Sequence, residues 1–400
     1  MAGDLVKNLK KFRVINILVV ITLLTTLLFS VLTLVSCKRS HDSSYSVFKW
    51  SNKLGVSSEG FLYEEEHVLC FYDFASGQSV VLCNRPDCQH QPYSWDTNPD
   101  PECNAVLPYR DTFTGLGMHN GYVYIFSQSS INKTTLYRQK PDGDGREILS
   151  EFNWGVDPFN DIVFRNNIAY FIGVQLIYDE EGTGDSDNQK SVVLSVDLQA
   201  GTVKELTDVK YDNLSRISAL SITDDTLYYS YVYYDEGMDF MDDNAVENIP
   251  TFINHYILEI DIPTETEKQL LDLSEHNDTY VGVDDKYFYF LSGDKSKIYS
   301  VGRDDFSEKV LFEGKDIIAP YMLNNYLIIG QGDDFSTSYF CDLATGKTIE
   351  VNRPGREASP ELIYNDWIFF GATLKDSTFT GVFMPIQDYL DGKTDYITIN

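Results

Sequence analysis

The amino-acid sequence predicts an all-β chain, a β-propeller of about seven four-stranded blades with six or eight as the alternatives, behind an N-terminal export signal. Three observations predict it. A polar turn followed by an aromatic-rich strand recurs seven times, the strands alternate with a two-residue period, and long helical periodicity is absent after residue 36. The 400 residues exceed what most single cores hold, yet repeat folds run this long as one domain, and 43% hydrophobic with 14% aromatic residues is ample for a packed interior.

The first element is the leader. Lys7, Lys10, Lys11 and Arg13 precede an uncharged run from Val14 to Ser36, which ends at Cys37. This is an export signal with a basic start. Its end, Leu34-Val35-Ser36-Cys37, resembles the lipobox of bacterial lipoproteins, in which the cysteine thiol is acylated and becomes the mature N-terminus. The resemblance implies a signal peptide over 1–36, lipidation at Cys37, a tether over 37–45 and a propeller domain over 46–400, held on the outer face of the cytoplasmic membrane through the lipid. An uncleaved signal anchor is the alternative, because a run of this length spans a bilayer. The formal charge is -30, and removal of residues 1–36, with four basic side chains and Asp4, takes it to -33. Such a surface repels nucleic acid and anionic headgroups, which excludes nucleic acid as a partner.

The strands follow in order. "EGFLYEEE" at Glu59 is a weak first copy; stronger ones are "NGYVYIF" at Asn120, "NNIAYFIG" at Asn166, "DDTLYYSY" at Asp224, "DDKYFYFLSG" at Asp284, "NNYLIIGQG" at Asn324 and "NDWIFFGAT" at Asn365. Asn-Gly, Asn-Asn and Asp-Asp pairs tolerate positive φ and open turns. Each copy is followed by a second strand–turn–strand unit, such as "VVLSVDLQAGTVKELTD" from Val192 or "YFCDLATGKTIEVN" from Tyr339. If the first turn joins strands one and two of a blade and the second joins strands three and four, these short turns share one face. The long insertions, 174–190 and 232–254 between strands two and three and the loop 82–110 between the first two blades, then elaborate the other face, as a binding face requires.

The loop 82–110 carries the sharpest chemical pattern, Cys83-x4-Cys88-x-His90-x12-Cys103. Three thiolates and one imidazole fill a tetrahedral zinc shell, so a structural zinc is the cofactor this loop predicts. A disulfide from Cys103 to Cys83 or Cys88 is the competing reading for an exported chain, and it strands one thiol. Cys70 and Cys341 sit in strand patterns and read as buried thiols. The acidic runs "DEEGTGDSDNQ" and "PDGDGRE" miss the calcium-loop frame, since Arg146 takes the third ligand position in the second, and they read as solvated turns.

No Gly-x-Ser-x-Gly, His-Glu-x-x-His or phosphate-binding loop is present, and His119 and His255 at strand edges read as surface or satisfied side chains rather than general bases. With 61 acidic residues, no carboxylate pair can be singled out as a glycosidase dyad. Tyr178, Tyr231, Tyr233, Tyr234, Met238 and Phe240 crowd the two later insertions, either as a ligand-binding face or as packing for the insertions themselves.

The lipobox together with the repeated aspartate-and-aromatic strands over about 46–400 resembles the β-propeller lipoproteins of Gram-positive envelopes, a group similar to TolB-type and low-density-lipoprotein-receptor-like propellers. The tyrosine-tryptophan-threonine-aspartate tetrapeptide of the latter is missing here. The resemblance implies a non-catalytic platform that binds an envelope protein or a glycan. A propeller enzyme acting on carbohydrate, a glycoside hydrolase or lyase, is the alternative.

Overall fold

The computed structural model describes residues 45–49 and 54–398, apart from short internal stretches of which 208–214 and 235–251 are the longest. Seven four-stranded antiparallel sheets follow one another along the chain as the blades of a propeller. Blade 1 consists of Leu54–Val56, Gly60–Glu65, Val68–Asp73 and Gln78–Val81, and blade 2 of Thr112–His119, Tyr122–Ser130, Lys133–Gln139 and Glu147–Phe152. Blade 3 takes Ile162–Arg165, Ile168–Tyr178, Gly184–Asp197 and Val203–Glu205; blade 4 takes Ser215–Thr223, Thr226–Tyr234, Phe252–Asp261 and Thr266–Asp272. Blades 5, 6 and 7 begin at Thr279, Ile317 and Glu357, and the last strand, Ile397–Thr398, pairs with Val382 and Phe383. The described helix is a single five-residue turn, Ile386–Leu390.

Local chemistry explains why the blades form where they do. Asn120, Asn166 and Asp224 adopt φ of 49°, 54° and 48°, the left-handed conformation that these residues tolerate in a two-residue hairpin. The turn between strands three and four repeats even more closely. In blades 1, 3, 4 and 6 an aspartate ends the third strand, at Asp73, Asp197, Asp261 and Asp342, and its side chain accepts from backbone N–H groups two or three residues on. Four residues later the chain bonds back to the same aspartate's carbonyl, at Gly77, Gly201, Glu265 and Gly346, each with φ between 55° and 70°. The short turns therefore fall on one face, as the repeat predicts.

Apolar residues of the middle strands fill the space between neighbouring blades. Blade 1 closes the ring on blade 7: Phe61 meets Phe369 and Phe383 edge-on at 5.1 Å, and Phe74 stacks on Trp367 at 5.6 Å with ring planes 2° apart. Each such pair adds about 0.5–1.5 kcal/mol beyond its burial. Cys70 and Cys341 are buried in strands, as expected.

Two features differ from the sequence reading. The insertion 174–190 is largely a continuation of blade 3's central hairpin, with Tyr178 paired to Gly184, so strand pairing carries most of what composition presents as a loop. A further strand, Tyr45–Lys49, pairs with the innermost strands of both blade 1 and blade 3 and runs past that of blade 2. Because the outward edge of each inner strand is already paired, this strand lies on the axial side.

Candidate metal centre

The loop after blade 1 has a neck, and the four predicted ligands stand at it. Cys83 stands two residues past the end of the outer strand. The chain then turns at Arg85-Pro86-Asp87-Cys88, closed by the Cys88 N–H on the Arg85 carbonyl at 3.2 Å, with proline at the position its fixed φ suits. The far part is held by its own bonds, Ser94 with Asn98 through both main-chain groups and the Asn98 amide to the Gln91 carbonyl at 2.9 Å. At Cys103 the chain returns to blade 1. Ala105 accepts from the Leu69 N–H at 2.6 Å, where the blade's outer strand has ended, and Val106 pairs with Val68. Cys103, Ala105, Val106 and Leu107 are buried in the core of blade 1, so the loop is peripheral only over its first two thirds and not throughout, as its polar composition implies.

One donor atom from each of Cys83, Cys88, His90 and Cys103 lies within 4.8 Å of all the others. The His90 Nδ1 stands 3.5 Å from the Cys103 Sγ. A tetrahedral zinc with bonds of about 2.0–2.1 Å to nitrogen and about 2.3 Å to sulfur spaces those two atoms by about 3.6 Å. None of the five described cysteines is in a disulfide. His90 has φ of 48°, an uncommon conformation for a side chain other than glycine but one in which histidine is enriched.

The thiols are electrostatically unlike. The His90 N–H donates to the Cys88 sulfur and holds that thiol below its ordinary pKa, against the opposing pull of desolvation. Burial pushes Cys103 up to about 11, although the Ala105 N–H donates to it. A divalent metal removes that proton outright, since a coordinated thiol is bound as thiolate.

Blade 2 seats the loop. The turn of its outer hairpin, Lys140 to Gly145, lies under the neck: the Asn84 amide donates to the Asp142 carboxylate at 3.1 Å and the Asn104 amide to the Gly143 carbonyl at 2.8 Å. Gly143 has φ of 80°, and a Cβ there would lie 2.0 Å from the Leu82 carbonyl oxygen, so only glycine fits. Arg146 ends this turn. Its guanidinium donates to the Gln139 side-chain oxygen at 2.7 Å and to the carbonyls of Asn104 and Val106, and burial pushes it down to about 10. The sequence shows Arg146 only as a residue that spoils a calcium loop, and nothing local announces its contacts some forty residues away.

The other expected site residues are dispersed. Tyr231 is half-buried and stacks on Tyr256 at 6.0 Å beside the core of blades 3 and 4, and Tyr233 is half-buried on the same strand. Tyr178 and Tyr234 end strands, and their side chains, like Met238, Phe240 and Cys37 altogether, lie outside the described residues. His119 and His255 are buried rather than superficial. His119 bonds the Asn166 carbonyl, and His255 Nε2 lies 2.9 Å from the Ser230 Oγ on the neighbouring strand. Sequence reasoning missed that serine–histidine pair, because the two are brought together only by the register that sets Val232 opposite His255.

No family model matches the chain, and no curated protein matches it. Among solved structures it is similar to a puromycin hydrolase mutant, with a TM-score of 0.53 and 12% identity over 87% of this chain and 53% of that one. It is similar to a prolyl endopeptidase, studied for inter-domain dynamics in catalysis and specificity, with a TM-score of 0.52 and 12% identity over 88% and 48%. The likeness is one of fold. The chain spans about half the length of these two proteins. An oligogalacturonate lyase with manganese follows at 0.48 and 9% identity over 85% and 90%, too distant to weigh. These neighbours correct one expectation: a propeller of this architecture is no ground for a non-catalytic binding platform, since both better-matched structures are enzymes.

Proposed function

We propose that this chain is a propeller-fold hydrolytic enzyme acting on peptide-like substrates, with a structural zinc ion clasping the loop between blades 1 and 2. The zinc part is carried by one observation, the convergence of three sulfur atoms and one imidazole nitrogen within 4.8 Å of one another, with the His90–Cys103 pair at the spacing of a tetrahedral ion. The shell is complete with protein ligands, which suits a structural rather than a catalytic ion. The enzymatic part is supported by the activities named for the two solved propellers it resembles in fold. No residue of this chain is assigned as nucleophile on that basis. Ser230 and His255 are closed to solvent at 3% and 2% exposure, so they are a core pair and not a reacting one.

The lipobox supports placing the protein on the outer face of the cytoplasmic membrane, anchored through Cys37 after loss of residues 1–36, in the manner of the Gram-positive propeller lipoproteins it resembles. Cys37→Ala should then release the protein from membranes or leave it as the precursor. Mature-sized protein that still sediments with membranes contradicts the anchor.

The enzymatic reading is tested by incubating the zinc-loaded protein with a panel of aminoacyl and prolyl-peptidyl chromogenic amides. Saturable release of the chromophore is expected. A folded, zinc-loaded preparation that releases none above a heat-treated control overturns it.

A further inference from the structure

We propose that Arg146 is a counter-ion of the metal centre, a positioning residue whose charge complements a shell of three thiolates and one imidazole; this rests on the reading of the cluster as a zinc site. The observation is a half-buried cation without a carboxylate. Each hydrogen bond of the Arg146 guanidinium goes to a neutral oxygen, that of Gln139, Asn104 or Val106, and among the described residues no acid forms an ion pair with it. In a chain with 61 acidic residues, a half-buried guanidinium bonded to three neutral oxygens and to no carboxylate is a conspicuous omission.

The missing charge is next door. Two of the three acceptors are the carbonyls one and three residues beyond Cys103, so the guanidinium grips the segment that carries the buried ligand. Cys103 is one of the two ionisable groups that act on it, with Tyr137. A divalent zinc with three thiolates and a neutral imidazole has a net charge of -1, which one guanidinium balances. A shell of two thiolates and two imidazoles is neutral and would leave the arginine uncompensated.

Zinc affinity of the full chain, measured by competition with a chromophoric chelator, tests this. Groups behind the ligands commonly change metal affinity by about 10–100-fold, and Arg146→Gln is expected within that range, while Arg146→Lys, which keeps the charge, stays within about threefold of wild type. In a Cys88→His background, where the centre is formally neutral, the Arg146→Gln loss should shrink to about threefold or less. An Arg146→Gln affinity within twofold of wild type, or an equal loss in both backgrounds, overturns the counter-ion and leaves a residue that only holds the loop's backbone. If Arg146→Gln does not fold, Arg146→Lys decides: affinity within threefold supports the charge, and a tenfold loss overturns it. Wild-type protein that takes up no zinc instead refutes the metal reading itself, and the counter-ion with it.

Discussion

In blade 4, His255 meets the hydroxyl of Ser230 with both side chains closed to solvent; between blades 1 and 2, His90 meets three thiols at a half-buried neck. Each histidine stands beside a group that can act as nucleophile or ligand. In blade 4 the neighbours supply what burial demands: the Ser274 hydroxyl accepts the main-chain N–H of His255 at 2.9 Å, the Asp278 backbone bonds the ring, and burial pushes the imidazole down to about 4, so it sits neutral in the folded protein. At the neck the neighbours supply the opposite, four donor atoms gathered together and a half-buried cation with no carboxylate. A histidine's chemistry is decided by what its surroundings leave unfinished, and only the neck leaves something.

The comparison breaks most visibly at the ligand that belongs to both loop and core. Cys103→Ser should cut zinc affinity by more than about 100-fold, beyond the range seen for groups behind the ligands, while circular dichroism stays β-dominated. Retention of zinc at wild-type strength would remove Cys103 from the centre. His255→Ala should do the reverse: it deletes a buried ring and strands the Ser230 hydroxyl, at a cost of about 2–4 kcal/mol in urea unfolding, with zinc content unchanged.

The same histidine makes the blades sensitive to pH. Its ordinary pKa of 6.5 holds in the unfolded chain and about 4 in the folded one. Between those values the unfolded state binds a proton that the folded state does not, so stability is full above about pH 6.5 and declines toward pH 4, by on the order of 3 kcal/mol. Denaturant midpoints of wild type and His255→Leu across that window check it; the variant should lose most of the slope.

Smaller effects sharpen the seat of the loop. Gly143→Ala forces a Cβ against the Leu82 carbonyl at positive φ and should cost about 1–3 kcal/mol, read as faster protease cleavage between Gln89 and Glu102. Asn84→Ala removes one exposed bond to Asp142 and should cost no more than about 1 kcal/mol by the same readout.

How much of this is legible in the sequence follows the range of the interactions. The blades are legible because their causes are local: alternating aromatics such as Tyr122 and Tyr124, Asn120 and Asn166 at positive φ, and aspartates that cap the turn following their own strand. The four ligands are legible because they share one loop. Arg146 is not, since its acceptors lie about forty residues away on another blade, and neither is Ser230 beside His255, which only strand register brings together. The axial strand Tyr45–Lys49 pairs with blade 3 across more than a hundred residues, and no local pattern encodes that partner.

Elemental analysis joined to thiol titration of the protein purified without chelator tests the metal centre most directly. One zinc per chain is expected, with three thiols slow to react with a thiol reagent until a chelator is added, and His90→Ala lowering zinc retention. No metal, together with two thiols missing from the titration, would contradict it and establish a disulfide at the neck.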